Sequence, residues 1–127
     1  MNDKKPIVLN VGQCGFDHGN LSRILSEDFS ADVKQAATSE EAFRAIRAGH
    51  FNLVLVNRIF DADGASGLDF IQRLQSHEET RAIPVVLVSN YSEAQDSAVA
   101  AGAKRGFGKD ALTSAETHDI LASLLGH

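Results

Sequence analysis

Two short apolar runs constrain this chain more than any other feature: Leu53-Val54-Leu55-Val56 and Val85-Val86-Leu87-Val88. A strand with one wet face alternates apolar and polar residues, whereas a strand covered on both faces does not. Runs this short and rich in Val therefore point to strands of a parallel sheet with helices on both sides. The first run ends on Asn57, before a loop holding Asp61, Asp63, Gly64, Ser66 and Gly67. Leu68, Ile71 and Leu74 then recur at helical spacing. In open α/β sheets ligands and chemistry sit at the carboxyl ends of the strands, which makes Asn57 the first candidate site residue.

The flanking segments repeat one unit. Ile7 to Val11 reads as a strand, broken by Gly12-Gln13-Cys14-Gly15. Leu21, Ile24, Leu25 and Phe29 place a first helix from Asp17 or His18 to Glu27. Ala31 to Ala37 is a weaker strand around Val33. Thr38 and Glu41 fit a capping box for a second helix, with Gly49 at its end. Ser92 and Gln95 fit a box for a fourth helix ending at Gly102, and Thr113 with Glu116 for a fifth. Between those two lies a short strand, Lys104 to Gly108. The expected order is β-α five times over. Its crossovers are each long enough for one helix, which implies right-handed βαβ units.

The chain has 127 residues, the size of one domain, and residues 1–127 are expected to form it without an attached effector. No run reaches membrane-span length, no signal-peptide pattern is visible, and Cys14 is the only cysteine. These features lead to the expectation of a cytoplasmic protein. A net charge of -5 serves solubility first, and it also argues mildly against nucleic acid as a partner.

The chain resembles the receiver domain of two-component response regulators. The likeness runs from Ile7 to Leu125. It rests on the strand ending at Asn57, on Ser66-Gly67-Leu68-Asp69-Phe70 opening the third helix, and on Pro84-Val85-Val86-Leu87-Val88-Ser89. Ala101-Gly102-Ala103 and Lys109 complete it. The resemblance implies a doubly wound (βα)5 fold with a five-stranded parallel sheet in the flavodoxin-like order 2-1-3-4-5. It also implies phosphorelay signalling with a histidine kinase as partner and no enzymatic reaction of the chain's own. In that family an aspartate ending the third strand takes the phosphoryl group. An acidic pair ending the first strand, the aspartate and a backbone carbonyl hold Mg²⁺. A lysine, a Ser/Thr and a switch aromatic respond to the phosphoryl group.

This sequence departs from the pattern where the chemistry lies. The phosphoacceptor position is Asn57, and an amide is a poor nucleophile that forms no ordinary acyl phosphate. The acidic-pair positions are Gly12 and Gln13, and the switch-aromatic position is Gly106. Asp110 replaces the usual proline, and the loop after Asn57 is longer than usual. Ser89 and Lys109 are the retained receiver residues. The chain thus resembles a pseudo-receiver, with no catalytic residues, no metal site and Mg²⁺ binding lost. Restoring aspartates together at positions 12, 13 and 57 is expected to return the metal response if the backbone keeps receiver geometry.

Several alternatives stay open at this point. Asn57 either satisfies local hydrogen bonds, with Lys109 as one partner, or mimics one receiver state. Lys109 needs an anion, for which Asp61, Asp63 and Asp110 are candidates, or it holds a phosphate-like ligand. Asp17 is read as a helix-start residue. Asp61-Ala62-Asp63-Gly64 is similar to the start of a calcium loop, but the twelfth position falls on Gln72. Those aspartates are also surrogate phosphoacceptor candidates. Cys14 is either packed or a thiolate at a helix start. His18, His50, His77, His118 and His127 show no metal-ligand spacing. The leading expectation is a protein-contact module using the α4-β5-α5 face, for a partner or a homodimer. The alternatives are a small-ligand or nucleotide sensor at the strand ends, and a receiver phosphorylated on a non-standard aspartate.

Overall fold

The structure is a computed structural model that describes residues 5–126; His127 lies outside them. Five strands and five helices alternate: β1 Ile7–Val11, α1 Gly15–Phe29, β2 Asp32–Ala36, α2 Ser39–Ala48, β3 Leu53–Asn57, α3 Gly67–Ser76, β4 Val85–Val88, α4 Ser92–Ala100, β5 Lys104–Phe107 and α5 Ala115–Leu125. The strands pair in parallel in the order β2-β1-β3-β4-β5, as the sequence implies. β3 is central, and all five of its residues are buried.

The two periodicities of the chain divide the core. Leu9, Val11, Val54, Val56, Val85 and Leu87 point to one face of the sheet, where Phe43, Phe70, Leu74 and Ala98 of α2, α3 and α4 cover them. Val8, Leu53, Leu55, Val86 and Val88 point to the other, under Leu21, Leu25 and Phe29 of α1 and Leu121 of α5. The consecutive side chains of β3 and β4 are hidden because each face has its own helices. Truncating one of them, such as Leu55→Ala, costs about 2–5 kcal/mol by lost transfer energy and residual cavity.

The helix boundaries correct the sequence reading in three places. α1 begins at Gly15, earlier than Asp17, because Cys14 Sγ accepts from the Asp17 N–H at 3.4 Å and acts as the cap. It runs on to Phe29 and closes through Ser30, which adopts a left-handed conformation at φ 54°. α5 is capped by Ser114, one residue later than Thr113, through the Thr117 N–H at 3.1 Å. α4 has Tyr91 at its N-cap and no side-chain cap bond, since Gln95 is drawn elsewhere. The Thr38 cap of α2 stands as expected; Glu41 reaches the Ala37 N–H at 3.0 Å.

Candidate functional site

The carboxyl ends of β1, β3, β4 and β5 surround a cleft of about 370 Å³. Its floor is Asn57, Val88 and Ser89, and its walls include Cys14, Asp17, Asp61 and Lys109. Arg58 stacks over Tyr91 at 4.9 Å from the ring centroid, and both line the rim.

Asn57 is nearly buried, at 7 % exposure. Its amide donates to the Gly12 carbonyl at 3.0 Å and to the Ile59 carbonyl at 2.7 Å. Both N–H bonds of the amide therefore tie β3 to the end of β1 and to its own loop. Lys109 is not its partner. The loop is held independently: Asp61 N–H donates to Gly12 O at 2.9 Å, and Phe60 N–H to Ala65 O at 2.8 Å. Asp63 is engaged in a turn, where its carboxylate accepts from the Ala65 N–H at 3.0 Å.

Lys109 opens a short 3₁₀ turn, Lys109–Ala111. Its anion is Asp17, at 2.8 Å, rather than Asp61, Asp63 or Asp110. Asp17 thus does more than begin a helix: it brings α1 to the end of β5. Both side chains are partly exposed, at 31 % and 21 %, so solvent screens the pair. Asp110 is turned the other way, where its N–H and carboxylate bind the Asn90 amide at 3.0 and 3.1 Å.

The ends of β1 explain why no acid stands there. Gly12 has φ 79°, a left-handed conformation that favours glycine, and the Phe60 ring fills the space a Cβ would take. Phe60 is buried and packs on Phe70. Any side chain at position 12 must displace that ring. Gln13 is buried, and neither atom of its amide has a hydrogen-bond partner among the described residues. Asn10, fully buried on β1, places its Nδ2 at 3.1 Å from His18 Nδ1, and the other ring nitrogen of His18 lies 3.2 Å from Ser22 Oγ. Burial of the ring pushes the His18 pKa below its ordinary value.

Ser89 is buried with its hydroxyl accepting from the Tyr91 N–H at 3.2 Å. Gly106 sits in β5 so close to β4 that a Cβ would meet the Leu87 carbonyl. Its N–H donates to Gln95 Oε1 at 2.9 Å, and Gln95 Nε2 donates to Leu87 O at 2.9 Å and Ser89 O at 3.1 Å. The β4–β5 ladder shifts register between Val86 and Val88, and the Gln95 amide supplies hydrogen bonds across that break. The sequence reading missed Gln95 and Asp17 as members of this region. Their partners lie on other elements, so no local spacing marks them.

Among the described residues, no three His, Cys, Asp or Glu gather as a metal-ligand set. No described helix is long and apolar enough to cross a membrane.

No family model matches the chain, and no curated protein is similar to it in sequence. Solved structures are similar in fold. The receiver domain of the DNA-binding response regulator merR from Colwellia psychrerythraea 34H superposes with a TM-score of 0.82 at 20% identity, over 97% of this chain and 100% of that one. NtrX from Brucella abortus gives 0.82 at 19% identity, over 97% of this chain and 28% of NtrX. The chemotaxis response regulator CheY4 of Vibrio cholerae gives 0.74 at 18% identity, over 96% and 100%. This chain has the fold of response-regulator receiver domains, and it spans little more than a quarter of NtrX.

Proposed function

We propose that this chain is a receiver-like module of two-component signalling that takes no phosphoryl group at Asn57 and acts through protein contact. One observation carries the reading: the Asn57 amide donates to both the Gly12 and Ile59 carbonyls. A carboxylate at that position would face two acceptors and would need a cation between them. The amide supplies the donors itself, and it is a poor nucleophile.

The donor set does not fit Mg²⁺. That ion needs hard oxygen ligands, several of them anionic, to offset its dehydration. Gly12, Gln13 and Asn57 offer no carboxylate, and Asp17 is already paired with Lys109. The lysine that would meet phosphoryl oxygens is occupied by the same contact. Asn57 and Lys109 at the strand ends take their partners from within the chain and would hold one state.

The surface offered to a partner is then the α4-β5-α5 face. Lys104, Arg105, Ile120 and Leu124 line a largely apolar groove there, and Arg105 pairs with Asp96 of α4 at 2.7 Å. Its occupant is a protein of the same cytoplasmic signalling system, a histidine kinase component or a second copy of the chain, with no nucleic acid and no enzymatic step.

Incubation with acetyl phosphate and Mg²⁺ followed by intact mass tests the reading. No adduct is expected, whereas an adduct mapped to Asp61, Asp63 or Asp17 would establish the non-standard receiver instead. The cleft with its Arg58-Tyr91 rim supports a second reading, a small-ligand sensor. A thermal-shift screen with nucleotides separates the two, since a ligand binding only the folded state raises the melting temperature.

A further inference from the structure

Away from the strand ends, one surface carries charge that the fold does not answer. Arg44 and Arg47 of α2 and Arg73 of α3 line a groove of about 470 Å³, together with Glu40, Phe43 and Ala48. The Arg47 and Arg73 guanidinium groups both lie over the Phe43 ring, at 5.4 and 4.6 Å from its centroid. Phe43 is itself fixed, 4 % exposed and packed against Phe70 with ring centroids 5.1 Å apart. A guanidinium held over an aromatic ring is attracted by the ring's quadrupole without spending its N–H donors on a protein acceptor.

None of the three arginines forms an ion pair among the described residues, and none of their guanidinium groups makes a hydrogen bond there. Arg47 and Arg73 each stand in the last turn of a helix, where the helix dipole favours a cation. That preference accounts for a basic residue on each helix. It does not account for both converging on one ring, with a third arginine and a single acid, Glu40, lining the same groove. The rest of the chain is acidic, with a net charge of -5.

We propose that this α2–α3 groove docks an acidic segment of a partner protein, with two or three carboxylates taken by Arg44, Arg47 and Arg73. The planar fork of arginine matches a carboxylate in two parallel hydrogen bonds. A long polyanion such as nucleic acid fits less well, because three cations are few and the surrounding negative charge repels an extended phosphate backbone. The groove lies apart from the α4-β5-α5 face, so it would serve as a second docking surface.

The test uses fluorescein-labelled Asp/Glu-rich peptide, the matched Asn/Gln peptide and a single-stranded oligonucleotide, each titrated by anisotropy at about 20 and about 200 mM salt. The acidic peptide is expected to bind saturably and more weakly at the higher salt, with NMR shifts confined to α2 and α3. Arg44→Ala, which removes an exposed side chain, and the triple Arg→Lys variant, which keeps charge and stem but loses the fork, are expected to weaken it, the triple variant by about tenfold or more. Circular dichroism on each variant checks that the fold is kept. No saturable binding, unchanged binding by both variants, tighter binding of the oligonucleotide, or shifts away from α2 and α3 would each overturn the proposal. So would finding by sedimentation that the signal comes only from self-association of the chain.

Discussion

Replacing Gln95 by leucine perturbs the point where β4, β5 and α4 meet. Gln95 is 5 % exposed. Its amide donates to Leu87 O, Ser89 O and, at 3.4 Å, Phe107 O, and accepts from Gly106 N–H. Phe107 O keeps the Ser89 N–H as a donor at 2.9 Å, so its loss is small. The Gly106 N–H loses its acceptor, and the Leu87 and Ser89 carbonyls lose a shared donor. Each buried group left unsatisfied costs about 1–3 kcal/mol. The leucine methyl groups return part of that, about 1–2 kcal/mol, by apolar burial. The expected net loss is about 3–5 kcal/mol, a large part of the stability of about 5–15 kcal/mol usual for a domain. The melting temperature should fall by roughly 10–25 °C. Urea unfolding followed by circular dichroism measures it. Gln95→Glu keeps the shape and the acceptor for Gly106, but its ionised carboxylate turns toward carbonyl oxygens. It should be less stable than Gln95→Leu at neutral pH and recover when acidified. A Gln95→Leu protein within about 1 kcal/mol of wild type would refute this account, because the amide would then not be spanning the β4–β5 break.

Three further outcomes follow from the same geometry. Asn57→Asp removes the donors of the Gly12 and Ile59 bonds and should destabilise by about 1–3 kcal/mol in urea titrations, since the Ile59 carbonyl loses the amide donor, the Gly12 carbonyl keeps only the Asp61 N–H, and both gain a negatively charged neighbour. Asp17→Asn and Lys109→Met, combined in a double-mutant cycle, should show a coupling below about 1 kcal/mol that shrinks with salt, because the pair is partly exposed. His18 is held below its ordinary pKa by burial, so the unfolded chain binds the proton more readily. The stability it contributes is complete above the unfolded value of 6.5 and is lost as pH falls from there toward the lowered folded value. Wild type should therefore lose stability in that window relative to His18→Gln, and parallel pH profiles would contradict the buried ring.

The parallel sheet was legible because it is written in consecutive residues. Leu53 to Val56 and Val85 to Val88 are uniformly apolar, and that pattern has one economical solution, coverage on both faces. The Thr38 cap was legible for the same reason, since its partners lie within a turn. Gln95 was not. Its position after Ser92 satisfies a capping pattern, but the carbonyls of Leu87 and Ser89 compete for the amide across a gap that only the folded β4–β5 pair creates. Asp17 stands in the first turn of α1, as the helix-start reading has it, but its second role was not legible because its partner, Lys109, stands far along the chain. Gly12 shows the limit of reasoning by aligned position. An aspartate cannot simply be restored there, since the Phe60 ring occupies the space and φ is 79°. The triple aspartate restoration expected from the sequence should therefore lose stability rather than regain Mg²⁺.

The central claim is that the strand-end site is closed upon itself and answers neither metal nor phosphoryl donor. It is tested most directly by ¹H–¹⁵N NMR spectra of the wild-type chain, recorded through a titration to about 10 mM Mg²⁺ and again after adding acetyl phosphate. The account predicts that the amides of Gly12, Gln13, Asn57, Ser89 and Lys109 keep their positions throughout. Saturable shifts centred on Gly12, Gln13 and Asn57, or a slow second set of peaks at Ser89 and Lys109 after acetyl phosphate, would contradict it.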